Sequence, residues 1–207
     1  MNYQKELDQL LCDLSKKGMP PKLLLHSCCA PCSSYVLEYL SSYFEITVYF
    51  YNPNLDCARE FAHRAQEQLR LIREMPVRHP ISGIVVPYCS QDFLEQVKGL
   101  EKEPEGGARC AKCFSLRLSK TAEYAAQNGF DFFTTTLTIS PLKNAALLNQ
   151  LGKQAAKAYG VPFLPSDFKK KGGFLRSTQL SAQYGLYRQN YCGCVFSKPT
   201  EASDKMK

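Results

Sequence analysis

No apolar run in this chain approaches the roughly 20 residues that a membrane-spanning helix needs, so the sequence offers no transmembrane segment. The first 20 residues scatter charges and hold no apolar signal core. No secretory peptide is read there, and the cytosol is the expected compartment. Histidine is scarce, at three residues. His63 and His79 stand without companions, and His26 falls at a strand end, where backbone satisfies such a residue more often than a metal does. No Gly-rich loop follows the first predicted strand. Cys28-Cys29-Ala30-Pro31-Cys32 occupies the place of the usual glycines and serine, so ATP or NAD binding by that turn is not supported. Internal repeats and interdomain linkers are also missing. With 207 residues, 44% hydrophobic and 22% charged, the composition is that of one ordinary globular domain.

Cysteine is what the chain has in excess, with ten residues. A cytosolic chain does not hold a structural disulfide framework, because its thiols are kept reduced. Metal binding or redox catalysis is the expected use. Three thiols fall within five positions, Cys28, Cys29 and Cys32, directly after Leu23-Leu24-Leu25, a short apolar run bounded by Pro20-Pro21 and Pro31. That pattern predicts a buried strand ending in a turn. In an open α/β sheet the crevice beyond the carboxyl ends of the strands is where ligands bind. Cys12, Cys57 and Cys89 stand alone and read as small, partly buried side chains.

The rest of the chain alternates strand and helix. Leu7, Leu10, Leu11 and Leu14 predict a packing helix over 2–17. Strands are expected at 22–26, 45–51, 84–88, 131–137 and 161–164. Helices are expected at 33–42, 57–73, 91–97 (capped by Ser90), 110–127, 143–159 and 174–184. This predicts an α/β, Rossmann-like, doubly wound parallel sheet with added helices. The expected organisation is an N-terminal helical extension over 1–20, one α/β catalytic domain over 21–198 and a disordered tail over 199–207. Glu60 and Arg64 lie one turn apart: they form an exposed helix pair, the commoner reading of that spacing, or one of them points into the site. Thr134-Thr135-Thr136 is polar for a central strand: its hydroxyls either meet a substrate or bond to backbone.

The thiol pairs differ in what they permit. Cys110 and Cys113 bracket two residues at a helix start, a spacing most often seen with zinc. Adjacent Cys28 and Cys29 chelate one tetrahedral ion with strain but reach two irons of a four-iron cluster easily. Two plus two thiolates then complete the four-cysteine ligation of a [4Fe–4S] centre, with Cys32 a competing ligand. Cys192 and Cys194, separated by Gly193, suit a strained, easily reduced disulfide or two further metal ligands. The net charge is +7, and 169–207 carries eight Lys/Arg against two Asp/Glu. Such a face fits a polyanion such as RNA, or a plain solvated surface.

Taken together, His26-Ser27-Cys28-Cys29-Ala30-Pro31-Cys32, Tyr49-Phe50-Tyr51-Asn52-Pro53-Asn54, Cys110-x-x-Cys113 with Arg117, Thr134-Thr135-Thr136-Leu137-x-x-Ser140-Pro141 and Tyr191-Cys192-Gly193-Cys194 resemble the QueH family of epoxyqueuosine reductases. The match runs from about Leu23 to Ser197. The resemblance implies an adenine-nucleotide α-hydrolase-like sheet and an oxidoreductase that reduces epoxyqueuosine to queuosine at the tRNA wobble position, the last step of that biosynthesis. It implies a [4Fe–4S] cluster on Cys28, Cys29, Cys110 and Cys113, an additional iron that Cys32 could serve, Cys192 and Cys194 as a redox-active pair, and an external electron donor. Asp56 stands near a position where the family often shows histidine. Lys143, Lys169, Lys170, Lys171, Arg176 and Arg188 are the implied phosphate contacts. The sequence does not single out the group that protonates the leaving oxygen; Tyr191, Glu60 and Asp56 are the candidates. A sulfur-transfer enzyme acting on tRNA and a zinc-stabilised RNA-binding module are the rival readings.

Overall fold

Leu23, Leu24 and Leu25 alternate across one central strand, and that alternation divides the molecule into two layers. The computed structural model describes residues 2–16 and 18–198; the expected tail over 199–207 lies outside them. Strand β1 (Lys22–His26) pairs in parallel with β2 (Glu45–Phe50) on one side and with β4 (Phe132–Thr135) on the other. Strand β3 (Ile81–Val85) lies outside β2, giving the order β3-β2-β1-β4. Leu23 and Leu25 enter one core with Val36, Leu37 and Leu40 of α2 (Ala30–Leu40), Leu71 of α3 (Ala58–Glu74) and Leu7, Leu11 and Leu14 of α1 (Tyr3–Leu14). Leu24 enters the opposite core with Phe114, Leu118, Ala122 and Ala125 of α5 (Ala108–Gln127) and Leu148 and Ala155 of α6 (Ala145–Tyr159). Helices therefore cover both faces, as expected of a doubly wound sheet, and β1 is apolar on both sides because both sides are buried. The short α4 (Gln91–Gln96) precedes α5, and α7 (Gly173–Gln183) packs against α2.

Four expected elements shift. Strand β3 runs over Ile81–Val85 rather than 84–88. Its place is set by backbone pairing with β2, from Ile46↔Ile81 to Phe50↔Val85, and as a half-exposed edge it carries little apolar pattern. The fifth strand reduces to one parallel bridge, Phe133↔Phe163. Pro162 and Pro165 flank it and lack the N–H groups that would extend the ladder. Strand β4 stops at Thr135, whose hydroxyl accepts the Leu137 N–H at 3.1 Å and turns the chain into a 3-10 turn over Thr136–Ile139. Helix α2 begins at Ala30 rather than Ser33, with Pro31 in a first turn that needs no proline N–H. Cys29 becomes its N-cap, and Cys32 sits within the helix instead of the turn. Ser90 does sit at the N-cap of α4, but its side chain makes no capping bond.

The chain winds outward from β1 to β2 to β3, then returns to place β4 on the other side of β1. The strand order therefore reverses beside the carboxyl end of β1, which is the crevice where open α/β sheets bind ligands.

Candidate metal centre

The end of β1 delivers three sulfurs to that crevice. Cys28 Sγ lies 3.8 Å from Cys29 Sγ, and the sulfurs of Cys28, Cys29 and Cys32 all fall within 4.8 Å of one another. Among the described residues no other group of three His, Cys, Asp or Glu side chains closes in this way. Polar bonds from the surrounding elements hold the turn. Ser27 and Ser33 both donate to Gln68 Oε1 on α3 at 2.7 Å, and Asn52 Nδ2 donates to the Ser27 carbonyl at 2.9 Å. Cys29 makes no capping bond through its side chain, so the positive end of α2 is left to favour thiolate.

Positive charge surrounds the thiols. The Arg117 guanidinium is 1% exposed and forms no ion pair with a carboxylate among the described residues. Its Nε donates to His26 Nε2 at 3.1 Å, its Nη2 to Asn52 Oδ1 at 2.6 Å, and its Nη1 lies 4.0 Å from Cys113 Sγ. Because arginine keeps its protons, His26 Nε2 is the acceptor, and Nδ1–H donates to Thr135 Oγ1 at 2.9 Å. Burial, reinforced by the Arg117 charge, pushes the His26 pKa down to about 3, so the ring is neutral and structural. Arg64 and Glu60 do pair, but not as the exposed pair that is the commoner reading of the spacing; the alternative, with one of them turned toward the site, is the one the fold adopts. Arg64 is 1% exposed, bonded to Glu60 Oε1 at 2.7 Å, and its charge acts on Cys29 and Cys28. The arginine is drawn inside because the turn over 52–57 and the segment carrying Tyr191 close over it.

One thiolate charge is shared in the triad. Hydrogen bonds from Cys29 and Cys32 hold the Cys28 thiol below its ordinary value against the opposing effect of burial, with Lys143 and Arg117 assisting. The bond to Cys28 in turn pushes Cys29 up to about 12, and Cys32 also rises. Lys143 is desolvated, yet the neighbouring cysteine sulfurs, those of Cys192 and Cys28 foremost, outweigh that, raise its pKa and keep it protonated.

The remaining candidates divide. Cys192 lines the same cavity of about 240 Å³ as Cys28, Cys32, Arg117, Lys143 and Arg188. Cys194 is buried with Phe93, Val97 and Cys113, and its thiol donates to Ser197 Oγ at 3.4 Å. Cys110 and Cys113 lie in the first turns of α5. Cys110 Sγ accepts the Gly106 N–H at 3.2 Å, and burial raises Cys113 to about 11. Neither joins the triad, and all ten cysteines are free thiols. Cys12, Cys57 and Cys89 are exposed rather than partly buried. Thr134 and Thr135 bond to the Leu164 carbonyl and to His26, whereas Thr136 reaches Cys28 Sγ at 3.7 Å. Of the implied phosphate contacts, Arg176, Lys171 and Lys169 are engaged with Glu38, Asp8 and Asp167. Lys143 and Arg188 face the cavity. Sequence reasoning gave no role to Asn52, Gln68 or Gln189, whose Nε2 donates to Cys29 Sγ at 3.1 Å. Gln68 shares the inward face of α3 with Phe61, Arg64 and Leu71, a weak helical signal.

Three clustered sulfurs, no carboxylate among them and buried cations beside them form a soft, anionic donor set suited to metal. Two buried donors, Arg64 Nη2 and Gln68 Nε2, have no hydrogen-bond partner among the described residues, and such buried donors call for an acceptor. The residues present fit a sulfur-ligated, negatively charged group. Among the described residues no helix is long and apolar enough to cross a membrane.

A family model described as epoxyqueuosine reductase QueH matches residues 23–200. The chain is 41% identical over 206 residues to the epoxyqueuosine reductase QueH of Streptococcus pyogenes serotype M1, covering 99% of this chain and 81% of that protein. It is 41% identical over 211 residues to the protein of that name from Staphylococcus epidermidis, covering 99% and 87%. A more distant relative of the same name, from Thermotoga maritima, is 33% identical over 181 residues, covering 84% and 89%. A family model over residues 23–200 and relatives about 41% identical over nearly the whole chain lead to one assignment: this chain belongs to the QueH family of epoxyqueuosine reductases.

Proposed function

We propose that the protein is an oxidoreductase that reduces epoxyqueuosine to queuosine at the wobble position of tRNA. The observation that carries this reading is the Cys28–Cys29–Cys32 triad at the switch point of the sheet, with buried Arg64 and Arg117 and half-buried Lys143 beside it. Cys28, Cys29, Cys110 and Cys113 would hold a [4Fe–4S] cluster, with Cys32 available to an additional iron. When bound, such a group supplies one-electron transfer and a Lewis-acidic site.

The chain's own residues have separate tasks. The cavity lined by Lys143, Arg188 and Gln189 receives the modified nucleotide, and its two cations meet flanking phosphates. Lys143 keeps its proton at Nζ beside Cys28, where it can donate a hydrogen bond to an oxygen leaving the substrate. Tyr191 also holds its proton tightly, as burial and its bond to Asp56 push its hydroxyl pKa upward. Cys192 and Cys194 are the redox-active pair. Two S–H bonds give way to one S–S bond, the two epoxide C–O bonds break, a C=C bond forms and the oxygen leaves with two protons as water. An external electron donor then returns the disulfide to two thiols. A tRNA substrate places the work in the cytoplasm.

Anaerobic purification with iron and sulfide analysis tests this, using Cys110→Ala as the comparison. The expected result is about four or more irons per chain, lost in the variant, with conversion of epoxyqueuosine-containing tRNA. Zinc alone, or no metal under strict anaerobic handling, overturns the cluster. Turnover of ATP would favour sulfur transfer instead.

A further inference from the structure

The segment that carries Cys192 and Cys194 lies along α3 and the turn that precedes it. At its start the Tyr187 N–H donates to Glu67 Oε2 at 3.1 Å, and Arg70 Nη2 donates to the Tyr184 carbonyl at 3.0 Å. Around the two cysteines the contacts converge on one residue. Tyr191 donates its hydroxyl to Asp56 Oδ1 at 3.0 Å, the Asp56 N–H donates to the Gly193 carbonyl at 2.9 Å, and Lys198 Nζ pairs with Asp56 Oδ2 at 2.8 Å. These three bonds reach the residues before, between and after Cys192 and Cys194. The seat is tight. Gly193 has φ +109°, and a Cβ there would lie 2.4 Å from Leu55 Cδ2 and 3.0 Å from Arg64 Nη1. Arg64 also sits over the Tyr191 ring at 5.5 Å.

We propose that Asp56 is a positioning residue that latches this strap and holds Cys192 and Cys194 as a separated dithiol. The inference rests on the reading of these two cysteines as the redox pair. In the latched strap Cys192 faces the cavity, while Cys194 packs with Phe93, Val97 and Cys113. A disulfide requires the two sulfurs at about 2.05 Å, so one of them has to leave its seat. Asp56 opposes that movement by holding the backbone and both flanks. Releasing the latch therefore favours the disulfide. The exchange is balanced against a dithiol couple: two protein thiols and oxidised dithiothreitol give one protein disulfide and reduced dithiothreitol.

The test uses the anaerobically purified, iron-loaded protein and its Asp56→Ala, Asp56→Asn and Tyr191→Phe variants. Site-resolved alkylation rates and the Cys192–Cys194 equilibrium against the dithiothreitol couple are measured by mass spectrometry. With the loss of charge-assisted bonds, Asp56→Ala is expected to speed alkylation of Cys194 about tenfold and to shift the equilibrium toward disulfide about tenfold. Asp56→Asn, which retains an acceptor for Tyr191, falls between, and Tyr191→Phe removes one hydroxyl with little risk to folding. Iron content and the alkylation of Cys28 and Cys29 stay at the parent level. Unchanged rates and equilibrium in all three variants overturn the latch, as does an equal rise at every cysteine, which reports general unfolding. A parent protein that forms no Cys192–Cys194 disulfide in oxidised dithiothreitol refutes the redox-pair reading, while the alkylation rates still decide the latch.

Discussion

Replacing Arg117 by Met removes a buried cation and keeps most of its apolar stem. Two opposing effects act on the metal-free protein. Bonds to His26 Nε2 and Asn52 Oδ1 are lost, and hydrogen bonds involving a charged group are worth about 1.5–3 kcal/mol each. Against that, burying a cation without a carboxylate partner carries a desolvation penalty of several kcal/mol, which the substitution removes. The two nearly cancel, so the metal-free variant should unfold in urea within about 2 kcal/mol of the parent. Metal affinity behaves differently. Arg117 Nη1 stands 4.0 Å from Cys113 Sγ, and unit charges at that distance attract by about 4 kcal/mol at an effective dielectric constant of about 20. Without Arg117 the Cys113 thiolate, already disfavoured by burial, loses that support. Iron affinity, measured by anaerobic competition with a chelator, should fall on the order of 10²–10³-fold, since each 1.4 kcal/mol is about tenfold. Arg117→Lys, which keeps the charge and loses the fork, should retain most of it. Equal affinity in Arg117→Met and parent refutes the reasoning, and so does an equal loss in both variants.

Three further outcomes are expected from the same structure. Neutral, buried His26 has its pKa lowered to about 3, so between pH 6.5 and 3 the unfolded chain takes up a proton that the fold refuses. Urea titrations of the metal-free protein should therefore lose about 1.4 kcal/mol per pH unit as pH falls below 6.5, and His26→Asn should flatten that slope in the window above the carboxylate range. A Cβ on Gly173 would meet the Phe168 carbonyl at 1.9 Å and the Tyr35 ring at 2.5 Å. Gly173→Ala should lower the unfolding free energy measured in urea by about 1–3 kcal/mol through overpacking, and an unchanged midpoint would show that α7 re-seats freely. Binding of tRNA should weaken steeply with salt, and Lys143→Ala and Arg188→Ala should each reduce the log–log slope by about 1, whereas a surface lysine already paired, such as Lys171, should change it less.

Local chemistry was legible in the sequence. The apolar triplet Leu23-Leu24-Leu25 bounded by prolines announced a central strand, and its two-sided burial followed. The helical spacing of Leu7, Leu11 and Leu14 announced α1, and the cysteine spacings announced a thiol centre. Less was legible where a neighbour decides. Edge strand β3 takes its limits from β2, and Pro162 limits the expected fifth strand to one bridge. The Glu60–Arg64 spacing is that of any exposed helix pair. Only the fold reveals that Arg64 is buried beneath Gly193 and beside Cys28 and Cys29.

By itself the sequence determined which groups were present and how far apart along the chain they stood: three thiols after one strand, two at a helix start, two around a glycine, and a basic C-terminal fifth. Those properties are local, because backbone periodicity and turn chemistry act over a few residues. The tertiary structure decided which of these groups meet. Placing β4 beside β1 reversed the strand order at Cys28 and set Thr136 against its sulfur. Folding α5 over the sheet carried Arg117 to His26, 91 residues away in sequence. Docking the C-terminal strap on Asp56 brought Cys192 to the triad's cavity and turned Cys194 away from it. Such meetings depend on long-range burial of apolar surface and on the charges that burial forces together, and no short stretch of sequence encodes either one.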